Sequence, residues 1–216
     1  MLKFQIPICW DVWKHNQQWK KWEKRNFGQT VQIERGASPR PIDVYITNDN
    51  NAVNWIKIGD AEEGKIYIDK ANEKITEKGA NKSRRVYKGD FILSNSMSFG
   101  KPYILNINGC VHDGWLIIRD NERKFNKIFL YYLLGSEDMK RMFYSKASGG
   151  VVTNLNSDIV KSVDVIIPNI EVQNRFSEIA ELIDKQKFNY INKIKELKEI
   201  INIFLGGKKI WMKKYQ

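Results

Sequence analysis

The stretch "EVQNRFSEIAELIDKQKFNYINKIKELKEIINIF", Glu171 to Phe204, decides how this chain is organised. Apolar residues fall at Val172, Phe176, Ile179, Ile183, Tyr190, Ile194, Leu197, Ile201 and Phe204, in steps of 4, 3, 4, 7, 4, 3, 4 and 3. That rhythm is a heptad-like seam of the kind coiled coils use. The step of 7 passes over Gln186 and Lys187, and two successive steps of 4, from Ile179 to Lys187, read as a small stutter. No proline follows Pro168, so the spacing predicts one helix of about 35 residues, roughly 52 Å long at 1.5 Å per residue. Gly206-Gly207 is expected to end it, leaving a short basic tail. No second long helix of comparable seam exists in the chain. The seam therefore calls for a partner, either a second copy or another protein, with folding back onto its own domain as the alternative.

Working backwards from Pro168, the pattern changes to short strands and turns. "QTVQIERG" alternates and runs into a turn at Gly36, and "GASPRPID" (Gly36 to Asp43) is held out of regular structure by Pro39 and Pro41. "VNWIKIGDAEEGKIYID" predicts two strands around a loop, and "RRVYKGDFILS" a strand pair around Lys88-Gly89. "GCVHDGWLIIRD" predicts a turn at Asp113-Gly114 followed by a strand from Trp115 to Arg119. "NKIFLYYLLGSEDMKRMFYSKA" has helical spacing. A capped turn around Asn156 to Val160 leads to a last strand before Pro168. The expected fold class is α+β: a mixed-strand domain over 1–168, a long coiled-coil helix over 169–206, and a tail over 207–216.

Lys and Arg number 36 against 25 Asp and Glu, a net charge of +11 over 216 residues, which favours a polyanionic partner. Cys9 and Cys110 are the only cysteines, so a disulfide framework or zinc ribbon is not expected. The aromatic, charged N-terminus has no signal-peptide core, and no stretch reaches membrane-span length. A cytoplasmic protein with no membrane association is expected.

Catalytic and cofactor signatures are missing: no G-x-G-x-x-G, no Walker loop, and no adjacent prolines to form the D/N-P-P-Y/F tetrad of adenine amino-methyltransferases. His15 and His112 lack metal-ligand spacing to any partner, so no metal or cofactor is expected. Glu63-Gly64-Lys65, with Asp49 or Asp60 upstream, fits a nuclease E-x-K pattern. Glu122-Arg123-Lys124, Glu196-Leu197-Lys198 and Asp138-Met139-Lys140 fit such patterns too, as chance supplies in a chain with 28% charged residues.

The residues do suit nucleic-acid binding. Arg35, Ser38 and Arg40 share one glycine-containing loop, and Lys82, Arg84 and Arg85 share another. Ser94, Asn95, Ser96, Ser98 and Lys101 share a third, with Ser148, Gly149 and Asn154 on a possible fourth. Cations neutralise phosphates, hydroxyls and amides bond to phosphate oxygens, and Asn or Arg can read base edges. For Ser94 and Ser96 two roles stand side by side: contact with DNA, or satisfaction of buried backbone in an inward turn.

"RGASPRPID", "GDFILSNSMSFGKPYI", "GCVHDGWLIIRD" and "ASGGVVTNLNSDIVKSVDVIIP", followed by a long helix opening "EVQNRF", resemble the specificity subunits of type I restriction-modification systems. The resemblance runs from about Trp22 to Phe204. It implies a target recognition domain contacting one half of a split site in double-stranded DNA, followed by a spacer helix. It also implies a non-catalytic subunit that works with methyltransferase and restriction subunits. Family members usually carry two recognition domains and two helices, and this chain has one of each. Two copies pairing antiparallel through Val172 to Phe204 would restore the arrangement and recognise inverted halves. A small stand-alone endonuclease and a coiled-coil interaction protein remain the competing readings.

Overall fold

The computed structural model describes residues 22–95, 100–147 and 155–213, with side chains up to Phe204. Cys9 and His15 lie outside the described residues, as do Ser96, Ser98, Ser148, Gly149 and Asn154. The chain divides into two compact units, Met1–Gln173 and Asn174–Gln216.

The first unit is α+β, as expected. Its strands are β1 (Glu23–Asn26), β2 (Gln32–Arg35), β3 (Ile46–Thr47), β4 (Val53–Ile56), β5 (Tyr67–Ile68), β6 (Glu73–Ile75), β7 (Arg84–Val86), β8 (Phe91–Ser94), β9 (Pro102–Leu105), β10 (Gly109–Val111), β11 (Trp115–Arg119) and β12 (Asp164–Ile167). Short helices intervene: α1 (Glu77–Ala80), α2 (Lys127–Leu134), α3 (Glu137–Ala147) and α4 (Ser157–Lys161). The predicted capped turn is α4, whose Asn156 side chain accepts a hydrogen bond from Ile159 N at 2.8 Å.

Two five-stranded sheets carry the unit, in the orders β3-β6-β4-β10-β7 and β2-β11-β8-β9-β5, and β1 pairs with β12 separately. In the first sheet β10 lies between β4, parallel, and β7, antiparallel. In the second, β11 lies between β2 and β8, both antiparallel. The strands expected to pair around Lys88-Gly89 therefore do not pair: β7 belongs to one sheet and β8 to the other. The strands of "VNWIKIGDAEEGKIYID", β4 and β5, also separate. The reason is burial. Phe91, Ile92 and Leu93 are all within the core, and only an inner position in the second sheet covers both faces of β8. One apolar cluster joins the sheets, with Ile56, Val86 and Val111 from the first packing against Ile92, Leu105, Trp115 and Ile117 from the second.

The long helix is α5, Ile170–Lys213, 44 residues. Asn169 caps it, its side chain accepting from Val172 N at 3.2 Å. Gly206 and Gly207, expected to stop the helix, lie inside it. Glycine weakens a helix by about 1 kcal/mol relative to alanine without forbidding it, and no proline stands beyond. The first unit includes the helix up to Gln173, whose buried amide is held by Asn126 N, Lys124 O and Pro168 O. In the second unit the expected seam residues Ile179, Ile183, Tyr190, Ile194, Leu197, Ile201 and Phe204 are 41% to 75% exposed. Val172 and Phe176 are half-buried. Leu182, Phe188, Ile191, Ile200 and Ile203 are exposed as well, off the predicted seam. No helix among the described residues is long and apolar enough to cross a membrane.

Candidate nucleic-acid interface

The chain passes from one sheet to the other between β10 and β11, through His112, Asp113 and Gly114. This crossover turn is where the candidate residues gather. Register explains why. In the first sheet Val111, just before the turn, is opposite Arg84. In the second, Trp115, just after it, is opposite Ser94, and Leu116 is opposite Arg35. Three loops far apart in sequence thus end beside the same turn.

The Arg35–Arg40 loop is stitched to the turn by backbone and side chain together. Gly36 N donates to Trp115 O at 2.8 Å and Ala37 N to Val111 O at 3.2 Å. A Cβ on Gly36 would fall 2.1 Å from His112 O, so only glycine permits this approach. Ser38 Oγ donates to Asp113 Oδ1 at 2.9 Å, and Arg35 Nε to Asp113 O at 3.0 Å. The Arg40 guanidinium, 84% exposed, lies 3.6 Å from Asp113 Oδ2. Ser83 ties the second loop to the first by donating to Ala37 O at 2.6 Å. Beside it Arg84 is exposed and has no ion-pair partner among the described residues. Arg85 is exposed and pairs with Glu77, which holds its guanidinium above the ordinary range. Lys82 Nζ donates to Tyr45 Oη at 2.6 Å and stands 5.1 Å from that ring's centroid.

The third loop corrects an expectation. Ser94 and Asn95 are 1% and 3% exposed, so their side chains face the protein and not a duplex. Ser94 Oγ accepts from Lys101 N at 2.9 Å and Ser94 N donates to Lys101 O at 3.0 Å, which closes the loop. Asn95 Nδ2 donates to Asp113 O at 2.8 Å, and its backbone O accepts from Leu155 N at 2.8 Å. The inward role left open for Ser94 is the one adopted. Its cause is the unbroken burial of β8, which carries Ser94 under cover as its final residue. Lys101 is half-exposed, 3.6 Å from Glu63.

Asp113 and His112 were legible only as turn residues, because partners such as Arg35, Ser38 and Ile58 stand 54 to 78 positions away. Partial burial raises the Asp113 carboxyl, but the Ser38 hydrogen bond and its own backbone N–H, with His112 and Arg35 nearby, outweigh that and hold it below the usual range. Burial pushes the His112 imidazole below its ordinary value, against the opposing pull of Asp113. Its Nδ1 accepts from Gly114 N at 2.6 Å, which fixes the turn around the neutral ring. An open cleft of about 690 Å³ adjoins this turn, lined by Ser38, Trp55, Lys57, Glu73, His112 and Asp113 among others. The Glu63-Gly64-Lys65 pattern does not assemble with Asp60. Asp60 is buried and bonded to Lys57 N and Asn72, Lys65 pairs with Glu62, and Glu63 faces Lys101. Among the described residues no cluster of three or more His, Cys, Asp or Glu could hold a metal ion.

The model of the Type I restriction modification DNA specificity domain matches residues 19–210 of this chain. The chain belongs to that family. Specificity domains are the DNA-selecting, non-catalytic part of type I restriction-modification systems. The HsdS subunit from Thermoanaerobacter tengcongensis is 16% identical with a TM-score of 0.59, over 76% of this chain and 37% of that one. The type I system S subunit from M. genitalium is 15% identical with a TM-score of 0.55, over 88% of this chain and 46% of that one. A chain from a structure of type I R-M complex assembly and conformational transition is 17% identical, TM-score 0.58, over 76% and 38%. At these identities the likeness establishes a shared fold. The chain spans less than half the length of each of these relatives.

Proposed function

We propose that this specificity domain binds one half of a bipartite duplex site with its α+β head over 1–168. The convergence of Arg35, Arg40, Arg84 and Ser38 on the Asp113 turn is the observation that carries this reading. Exposed cations from separate loops then address one stretch of phosphate backbone, and their neighbours reach base edges. Lys82, Arg85 and Lys101, each in a solvent-screened contact worth little, are available for exchange onto phosphate.

The spacer helix over 169–206 pairs antiparallel with a second copy, and the exposed apolar residues from Ile179 to Phe204 supply the surface. Methyltransferase and restriction subunits dock on the resulting dimer, which works in the cytoplasm. Catalysis belongs to those subunits. Support for docking is the membership of a family named for type I systems, together with a relative studied in complex assembly. By the symmetry of the pair, the two half-sites are identical and inverted.

Methylome sequencing of a host with and without the gene tests this directly. The expected result is loss of one adenine-methylation motif with two short inverted halves at a fixed gap. An asymmetric motif refutes the homodimer, and an unchanged methylome refutes the assignment as an active specificity subunit.

A further inference from the structure

Asp113 is a carboxylate at the crossover turn on which the cations of the Arg35–Arg40 loop converge. Anionic groups are ordinarily kept off a face that binds a polyanion, because each one repels phosphate. Here the carboxylate is 41% exposed and sits among Arg35, Arg40 and Ser38. The turn itself does not require the charge. Gly114 N bonds to His112, Asp113 O accepts from Arg35 and Asn95, and Gly36 and Ala37 donate to backbone oxygens. Asparagine would supply the same acceptor to Ser38. The folded state favours the negative charge through Ser38, His112 and Arg35, yet no backbone hydrogen bond of the turn depends on it.

We propose that Asp113 is a specificity-determining residue, whose carboxylate penalises sequence-independent phosphate binding by the Arg35–Arg40 loop. This rests on the reading that the crossover turn faces DNA. On a duplex of arbitrary sequence, Arg40 reaches phosphate only by loosening from Asp113, and the bared carboxylate then lies against the backbone. On the correct half-site, an exocyclic amino group such as cytosine N4 gives that carboxylate a donor, and the penalty is relieved. Discrimination then comes from a repulsive element as well as from attractive ones.

The test uses the full chain and a fluorescein-labelled duplex of arbitrary sequence, with anisotropy titrations over a potassium chloride series. Asp113→Asn is expected to bind roughly 3- to 10-fold tighter, with a log–log salt dependence steeper by about one counterion. Asp113→Glu keeps both charge and acceptor and should stay within about twofold of the parent. A residue that only supports the fold would give the opposite pattern, with Asp113→Asn and Asp113→Glu weakening binding together. In a selection from a random duplex pool, Asp113→Asn should enrich a less restrictive motif at one position. Should Asp113→Asn lower the melting temperature, Asp113→Ser, equally uncharged and compatible with a turn, must show the same tightening. Unchanged or weaker binding by the folded uncharged variants overturns the role of Asp113. The double variant Arg35→Glu/Arg40→Glu separates the two claims. If it binds as the parent does, the crossover turn is not the DNA face. If it binds more weakly while Asp113→Asn does not tighten, only the role of Asp113 falls.

Discussion

Gln173 gives the sharpest test of how the helix is anchored to the head. Its side chain is fully buried. Oε1 accepts from Asn126 N at 2.8 Å, and Nε2 donates to Lys124 O at 3.0 Å and Pro168 O at 2.8 Å. Asn126 in turn caps α2, accepting from Ile128 N at 2.9 Å, so one amide links the start of α5 to the start of α2. Gln173→Leu keeps similar bulk but strands one backbone N–H and two carbonyls. An unsatisfied buried group costs about 1–3 kcal/mol. Two of the three bonds are only part-buried, so water can answer them in part, and the sum is about 3–5 kcal/mol. For a chain of this size each kcal/mol corresponds to about 2–4 °C, so the melting transition should fall by roughly 6–20 °C. Gln173→Glu adds a second reading. It keeps the acceptor for Asn126 but sets a carboxylate oxygen against two carbonyl oxygens, so burial raises its pKa above the unfolded value. A group raised in the folded state is most favourable in acid and loses stability as pH rises through the folded pKa. Circular-dichroism melts from pH 5 to 8 should therefore show Gln173→Glu falling further below the parent with rising pH, and Gln173→Leu holding a constant gap. A Gln173→Leu melt within about 2 °C of the parent would refute the anchoring role.

Other outcomes follow from the same geometry. Gly36→Ala puts a Cβ 2.1 Å from His112 O, a backbone atom with little room to yield. It should cost about 2–3 kcal/mol and weaken duplex binding. Gly59→Ala, which meets nothing within 4 Å, should leave the melting temperature unchanged. The His112 imidazole is held below its unfolded pKa by burial, so its native form is fully stable above the ordinary imidazole range and loses stability as pH falls below it. Melts between pH 7 and 5 should show this slope, and His112→Asn should flatten it. Ile194→Glu with Leu197→Glu should convert the proposed dimer to a monomer in sedimentation velocity without shifting the melt of the head. A parent that stays monomeric even with the methyltransferase subunit present would refute the pairing.

Local features were legible in the sequence because they depend on neighbours. The strand Trp115 to Arg119, the Asn156 cap and the long helix each follow from period or capping chemistry within a few residues. The arrangement of sheets was not legible, since β7 and β8 look like a hairpin and nothing local says that each is claimed by a different sheet. Ser94 and Asn95 carry the same side chains whether they face solvent or backbone. What turns them inward is the depth of β8, a property of the packed domain. Asp113 shows the limit most clearly. Its role depends on Arg35, Ser38 and Asn95, brought together by two separate registers, and no spacing rule connects those positions. The extra apolar residues on α5 were visible but assigned no place, because a seam defined by one partner has no use for Phe188 or Ile191.

Those extra residues bear on how strongly two helices could associate. Seven seam residues from Ile179 to Phe204 are on average more than half exposed, so burial in a pair gains about 1 kcal/mol each, or roughly 14 kcal/mol for two copies. Association costs about 4–15 kcal/mol in lost freedom before any side chain is ordered. The seam alone therefore sits near balance, at a dissociation constant that dilution can reach. Leu182, Phe188, Ile191, Ile200 and Ile203 remain uncovered by a simple two-helix seam. A surface that is apolar on more than one side is satisfied by more than two helices. On this arithmetic the proposed pair would form weakly by itself and more firmly once other subunits cover the remaining faces. The specificity dimer and the larger complex would then assemble as one coupled equilibrium, and the dimer's measured affinity should rise when the methyltransferase subunit is added.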